Sequence, residues 1–367
     1  MTAEPLRILH VITGLGLGGA ENMLTSLVLR SADAGMIPTV VSLTPGGENA
    51  ARIRAAGVPV SDLAMQRGLP DPRAVRKLAL AIRAARPHVV QSWMYHADLL
   101  ALAARATLPR AEKPKLVWGV RCSDMDVSRY SPALRLIIAA CARLSARPDA
   151  VLVNSHAGRS AHEKLGYRPR RFEVVENGID TERFRPDPTA RAEMRRTLGL
   201  APDSIVLAHV ARCDPMKDHE SYLAALDRMP QVMGLAIGLG TETLPDRPNL
   251  RRLGPRTDVP RLLAASDFVI SSSAFGEGFP NVLAEGMATG APAIATDVGD
   301  AARIVGDTGR IVRPRDADGL ARAISELVGE DSAARAARRT QARARIETVY
   351  PLSRSAQAYA ALYRGLP

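Results

Sequence analysis

Aromatic residues are scarce in this chain, making up 4% of its 367 residues. Stacking platforms for bases are therefore few, and no nucleic-acid-binding motif is present, so nucleic acid is not expected as a partner. Cysteine is scarcer still. Cys122, Cys141 and Cys213 are scattered and odd in number, which excludes a disulfide framework and a thiolate zinc site and suits a reducing compartment. No apolar run approaches the roughly 18 residues needed to span a bilayer. The opening "MTAEPLRILHVI" lacks the basic stretch, apolar core and small-residue cleavage site of a secretory signal, so a cytoplasmic protein is expected. Lysine is also rare. Five of the 49 basic residues are lysines, leaving 44 arginines, in a chain of net charge +11 and pI near 10.1. That balance has two readings: an arginine- and alanine-rich genome, or an anionic partner such as a membrane surface or a phosphorylated substrate.

What is present points to a globular protein. The hydrophobic fraction is 46%, and 367 residues are too many for one ordinary core, so two domains are expected. Short β-branched runs alternate with alanine- and leucine-rich helical stretches. Strands are predicted over 7–12, 38–44, 58–64, 88–93, 115–121 and 150–155, with helices over 20–35, 48–57 and 71–87. The pattern restarts with strands over 204–211, 234–240, 267–273 and 292–296 and helices over 219–229, 258–266, 281–290 and 316–329. Such alternation predicts parallel sheets covered on both faces. The expected join lies in the proline- and charge-rich segment 177–194, and the tail from about Arg335 to Tyr363 reads as helix broken at Pro351.

Three constellations carry chemistry. "TGLGLGGAEN" (13–22) follows the first strand and contains Gly14-x-Gly16-x-x-Gly19, a turn that lets backbone approach a diphosphate. The second strand ends "SLTPGG" with no acid before Glu48, so the ribose ligand of a dinucleotide enzyme is missing. Phosphate contact and a purely structural turn both remain open. The second constellation is "FGEGFPNVLAEG" (275–286), in which Glu277 precedes a Phe279-Pro280-Asn281 helix start and Glu285 lies inside that helix. The helix N-terminus suits a phosphate, and carboxylates suit vicinal hydroxyls, so the pair fits a sugar on either side of a diphosphate. The third is "HVARCDPMKDHESY" (209–222), where Arg212 and Lys217 supply cations at a strand end.

With these residues assembled, the chain resembles the retaining nucleotide-sugar glycosyltransferases of family 4, along nearly its whole length. The resemblance is carried by "GLGLGGAENML", "QSWMYHADLL", "VNSHAGRSAHEKLGY", "VVENGIDTERFRP", "VARCDPMKDH" and "DVPRLLAASDFVISSSAFGEGFPNVLAEGMATGAPAIATDVGDAARIV". It implies an α/β GT-B fold of two Rossmann-like, doubly wound parallel-sheet domains facing across a cleft. The acceptor-side domain would be 1–178, with a tail from about 346 to 367 crossing back, and the donor domain 179–345. Glu285 would hold the nucleotide ribose, and Glu277 the transferred sugar with backbone groups around Phe279, Pro280 and Asn281. Arg212 and Lys217 would hold the diphosphate. Gly18 and Gly19 would let the first glycine loop approach it, and Arg256 stands in the segment that reads the base. His96 would face the sugar. Arg121 and Asp124 are candidate acceptor contacts. Gly286 replaces the usual alanine, at an expected helix cost of roughly 1 kcal/mol.

The resemblance further implies a donor that is a nucleoside-diphosphate sugar, UDP above all, and a glycan or lipid-linked acceptor. No cofactor and no metal are expected. The D-x-D matches at 124–126 and 316–318 are short, and Asp316 reads as a helix cap. The arginine-bearing helical stretches 71–87 and 133–148 would suit contact with an anionic inner membrane face, although they also read as ordinary sheet-covering helices. Two rivals remain: a nicotinamide-dependent Rossmann enzyme, resting on the glycine turn alone, and a non-catalytic nucleotide-sugar-binding protein.

Overall fold

The structure is a computed structural model that describes residues 4–66, 71–123 and 130–366. The chain divides into two compact units, one of Met1–Gly178 with Leu352–Pro367, the other of Ile179–Pro351.

In the first unit the strands are β1 (Leu6–Ile12), β2 (Met36–Ser42), β3 (Val60–Asp62), β4 (Val89–Trp93), β5 (Lys115–Val120), β6 (Ala150–Val153) and β7 (Phe172–Val174). They form one parallel sheet in the order β3-β2-β1-β4-β5-β6-β7. The helices are α1 (Gly19–Leu29), α2 (Glu48–Ala55), α3 (Pro72–Ala85), α4 (Tyr95–Ala106), α5 (Pro132–Leu144) and α6 (His156–Lys164). Every residue of β4, β5 after Lys115 and β6 is buried, as a sheet covered on both faces requires. Asp71 caps α3 by accepting from the Arg73 N–H, with Pro72 in the first turn. The periodicity reading missed α4, α6 and β7. The first two are short or alanine-rich and carry weak polar alternation, and β7 has only three residues.

The second unit repeats the plan. Strands β8 (Ile205–Val210), β9 (Val232–Ile237), β10 (Leu250–Gly254), β11 (Phe268–Ser271), β12 (Ala293–Thr296) and β13 (Arg310–Val312) pair in parallel in the order β10-β9-β8-β11-β12-β13. Its helices are α7 (Pro188–Thr197), α8 (His219–Asp227), α9 (Val259–Ala265), α10 (Asn281–Ala288), α11 (Ala301–Val305), α12 (Ala317–Val328) and α13 (Ser332–Val349). The segment 177–194, read as a linker, is partly helical. Asp187 caps α7, and Arg191 and Arg195 of that helix both reach Asp267, at 2.6 and 2.8 Å. Asp316 caps α12 through the Gly319 N–H.

The last helix, α14 (Leu352–Arg364), belongs to the first unit. Tyr359 and Tyr363 are buried there, and Tyr359 stacks on Trp93 with ring centroids 6.2 Å apart.

One helix–sheet contact reverses a sequence expectation. Gly286 does not merely weaken α10. A Cβ at this position would lie 2.6 Å from both Cβ and Cγ1 of Val269 on β11. The glycine lets helix and strand approach closely, so packing, not propensity, decides this residue.

Candidate active site

Each sheet reverses strand order once, between β1 and β4 and between β8 and β11. In open α/β sheets the crevice beyond the carboxyl ends of the strands at such a reversal is where ligands bind. In the second unit the loops leaving β8 and β11 therefore define the candidate site, and they are residues 211–218 and 272–280.

The loop after β8 is built around Asp214. Its Oδ1 accepts the Met216 N–H at 2.9 Å, which starts a single 3₁₀ turn over Pro215–Lys217. Asp218 then takes a left-handed backbone, φ 45°, and its carboxylate caps α8 through the Ser221 N–H and hydroxyl. The loop after β11 is tied to this one. The Ala274 N–H donates to the Met216 carbonyl at 2.8 Å, and the Ser272 hydroxyl reaches the carbonyls of Lys217 and Asp218 at 2.8 and 3.0 Å.

The charged centre sits on this scaffold. The Lys217 ammonium is ion-paired with Glu277 Oε1. The Ser273 hydroxyl donates to the same oxygen at 2.6 Å. Glu277 is buried, and both of these contacts fall on Oε1, so Oε2 has no hydrogen bond among the described residues. The loop after β12 closes the back of the site. The Asp300 N–H donates to the Gly278 carbonyl at 2.9 Å, and the Thr296 hydroxyl to the Ser273 carbonyl at 2.6 Å. Gly299 has φ 65°, and a side chain there would run into the Glu277 carbonyl, so only glycine lets this loop lie against the acid.

Phe279 and Pro280 are buried, with Phe279 packed edge-on against Tyr350 in the core. Pro280 is the N-cap of α10, which begins at Asn281 as the predicted span 281–290 has it. One turn further on is Glu285. Burial pushes its carboxyl up to about pKa 7, against the opposing pull of Arg183. Arg212 is exposed and engages Asp214 Oδ2 through Nε and a terminal nitrogen, at 3.2 and 3.1 Å. Arg256, in the loop after β10, is exposed and bidentate to Asp258 at 2.8 and 2.6 Å, a pairing that raises its pKa.

In the first unit the reversal between β1 and β4 brings the glycine loop and His96 to the same strand ends. Gly18 is the N-cap of α1, and Gly19 its first residue. Asn49 is fully buried behind this loop and donates to the Gly16 carbonyl at 2.6 Å and to Asn22 at 3.0 Å. His96 is exposed on the first turn of α4, with its ring set deeply enough for burial to lower its pKa. The residue before that helix, Met94, holds φ 74°, a left-handed backbone uncommon for its type. Arg121 is buried. Its guanidinium donates to the Tyr359 hydroxyl and the Asn177 side chain, both at 2.6 Å, and lies 4.5 Å over the Trp93 ring, so it fastens α14 to the sheet. Asp124 lies outside the described residues.

The structure thus brings Lys217 and Glu277 into contact and places Glu285 in the helix that follows. Sequence reading missed Ser272, Ser273, Thr296, Gly299 and Arg183. The run of three serines ending "DFVISSS" was the available signal for the first two. Among the described residues no cluster of three or more metal-ligating side chains occurs, and no helix is long and apolar enough to cross a membrane.

Comparison with known proteins identifies the family and the fold. The family described as Glycosyltransferase Family 4 matches residues 17–183, and the one described as Glycosyl transferases group 1 matches residues 204–330. Among curated relatives is the D-inositol 3-phosphate glycosyltransferase of Mycobacterium marinum, 33% identical over 214 residues, 53% of this chain and 45% of that protein. The Rhodococcus erythropolis protein of the same name is 33% identical over 208 residues, 50% of this chain and 46% of that one. The match spans about half the length of these relatives. Among solved structures, Anabaena Alr3699/HepE in complex with UDP and glucose superposes with a TM-score of 0.84 at 23% identity, covering 98% of this chain and 100% of that one. Sucrose-phosphate synthase from Thermosynechococcus elongatus gives 0.79 at 19% identity over 98% and 99% of the two chains. The fold is GT-B.

Proposed function

The chain belongs to glycosyltransferase family 4, and from that premise we propose that it moves a hexose-type sugar from a UDP-sugar to a hydroxyl of an envelope-glycan or lipid-linked acceptor, with retention at the anomeric carbon. The observation that carries the reading is the Lys217–Glu277 pair at the β8/β11 reversal, with Glu285 in the helix that starts beside it. A diphosphate needs cations, and sugar hydroxyls need acceptors. Here both stand at the strand ends where such a ligand binds.

In this reading Lys217 and Arg212 neutralise the diphosphate, with N–H groups at the start of α10 assisting. Glu277 Oε2 accepts a hydroxyl of the transferred sugar, and Glu285 accepts from the nucleotide ribose. Gly18 and Gly19 leave room for the phosphates, His96 faces the sugar, and backbone near Arg256 reads the base. The bond from the anomeric carbon to the phosphate oxygen breaks as the acceptor oxygen bonds to the same face. The acceptor proton passes to the departing phosphate, giving UDP and the glycoside. Stabilising that phosphate is the largest catalytic contribution. Because these side chains and the helix terminus supply the positive field, turnover is expected to be metal-independent and to survive excess chelator.

We further place the protein in the cytoplasm, in peripheral contact with an anionic membrane. Support comes from the exposed Arg73, Arg76 and Leu80 of α3 and the exposed Arg135, Leu136 and Arg143 of α5. Flotation with anionic but not neutral vesicles is the expected result.

A thermal-shift panel of UDP-, GDP- and ADP-sugars with NAD tests the donor. The UDP-sugar should give the largest shift and NAD none. Mass spectrometry of products from lipid, glycan and inositol phosphate acceptors tests transfer, inositol phosphate being included for the name its relatives carry. Binding without hydrolysis or transfer would make this a nucleotide-sugar-binding protein instead.

A further inference from the structure

His209 is a polar residue in the middle of a central strand, where β8 otherwise reads Ile205, Val206, Leu207, Ala208 and Val210. It is 1% exposed. A buried imidazole needs a hydrogen-bonding reason to be there. Its face stacks on Tyr222 and its edge meets His219, both at 4.6 Å between centroids, and its Nε2 lies 3.0 Å from the Ser272 hydroxyl. Its Nδ1 has no hydrogen-bond partner among the described residues.

The proton can be assigned. The Ser272 hydroxyl has one hydrogen, and it points at the carbonyls of Lys217 and Asp218, which can only accept. The bond between Ser272 and His209 must therefore be donated by the ring, from Nε2–H. Burial, with the His219 and Lys217 charges adding to it, holds the ring pKa well below the usual imidazole value, so the ring remains neutral.

We propose that His209 and Ser272 are a positioning pair: the ring aims the serine, the serine fixes the backbone at Lys217 and Asp218, and that backbone aims the Lys217 ammonium at its target. The assignment rests on the role given to Lys217 under the proposed function, and concerns two residues that role does not use. The need is physical. A lysine side chain is a flexible four-carbon stem, so its charge is only as well placed as its backbone. Asp218 is held in the left-handed region without being glycine, a conformation that persists only where its surroundings enforce it. Ser272 is bonded to the carbonyls on both sides of that turn's entry.

The test uses the full chain with three variants. His209→Phe keeps a ring against Tyr222 and loses the donor. His209→Gln loses the ring and keeps a donor. Ser272→Ala cuts the link while leaving the ring in place. Two readouts separate this inference from the wider reading. The first is kcat and KM for UDP-sugar turnover, where His209→Phe and Ser272→Ala should lower kcat at least tenfold and change donor KM less than threefold. The second needs no activity: the rate at which an amine-reactive reagent labels Lys217, read by peptide mass spectrometry. The other four lysines, Lys77, Lys113, Lys115 and Lys164, lie in the first unit and serve as internal controls. Labelling of Lys217 should rise severalfold in His209→Phe and Ser272→Ala and stay near wild type in His209→Gln. Wild-type labelling in a folded Ser272→Ala protein would overturn the proposal, as would equal impairment of the two His209 variants. If wild-type protein turned over no nucleotide sugar, the proposed function would fall while the labelling still decided this point. Should His209→Phe not fold, Ser272→Ala decides alone.

Discussion

The strand ends of the two units hold polar clusters of opposite character. In the first unit, Cys122, Tyr95 and His162 form a chain: Tyr95 Oη lies 3.1 Å from Cys122 Sγ and 2.8 Å from His162 Nε2, and His162 Nδ1 lies 2.7 Å from the Gly158 carbonyl. Nearby, the Ser92 hydroxyl donates to Asp98 at 2.6 Å. Burial moves every one of these groups toward its neutral form. It lowers the His162 pKa, raises Tyr95, pushes the Cys122 thiol up to about 11 and lifts Asp98 well above the carboxylate range despite its hydrogen bonds. In the second unit the loops after β8 and β11 hold an ion pair, Lys217 with Glu277. Two sheets of the same strand order therefore divide the work. The first unit's cluster is held neutral, while the second unit's pair keeps charge where a charged ligand needs it.

The sharpest way to break this comparison is to neutralise the second unit's pair. Lys217→Ala should lower kcat about 10²–10³-fold, as expected when one group stabilising transition-state charge is removed. Glu277→Gln should lose turnover to a similar order while keeping the side chain's shape. Thermal melts within a few degrees of wild type would show that folding survives. Near-wild-type kcat in either variant would mean the charges are merely structural.

How far this was readable in advance depended on whether a residue's partner was local. Lys217 and Glu277 stand at strand ends in the sequence pattern, but their contact joins loops 60 residues apart and is not encoded in either stretch. His209 sits in an apolar strand and reads as core, because periodicity says where a side chain points and not what it meets. Arg121 reads as a candidate acceptor contact, and its bond to Tyr359 on α14, 238 residues later in the chain, is not visible locally. Strands and long amphipathic helices were legible because their signals repeat locally. Gly286 was misjudged for the complementary reason, since propensity is local and the nearby Val269 is not. It makes a further test. Gly286→Ala gains roughly 1 kcal/mol of helix propensity but forces a methyl onto a rigid β-branched neighbour, which costs about 1–3 kcal/mol. A net fall in melting temperature is expected, and a rise would show that α10 shifts freely on β11.

Between the extremes lies Glu285, a second-unit acid that burial drives part-way to the neutral behaviour of the first. Its folded pKa, about 7, is raised above the unfolded value of 4.5. Its contribution to folding stability is therefore fully present below pH 4.5 and lost as pH rises through about 7. Ligand binding should run the other way. The ionised carboxylate accepts hydroxyl hydrogen bonds more strongly than the protonated acid, so UDP affinity should strengthen severalfold between pH 6 and 8. The nucleotide's own phosphate ionises near pH 6, by analogy with phosphate esters, so the control is Glu285→Gln. Calorimetry on that variant should show weaker binding and a flatter pH profile. An identical profile would remove Glu285 from the site.

The smallest expected effect is also the one that defines the contrast. If the first unit's cluster is neutral by construction, its acid should be replaceable by an amide. Asp98→Asn keeps the shape, and the amide oxygen can still accept from Ser92. Because burial raises the Asp98 pKa well above the usual carboxylate value, little charge is expected to be removed. The melting temperature at pH 7 should stay within a degree or two of wild type, and kcat within about twofold. Asp98→Ala, which strips the acceptor and leaves the Ser92 hydroxyl without this bond, should instead destabilise by about 1–3 kcal/mol. A large loss in Asp98→Asn alone would mean that Asp98 is ionised, and that this cluster carries charge after all.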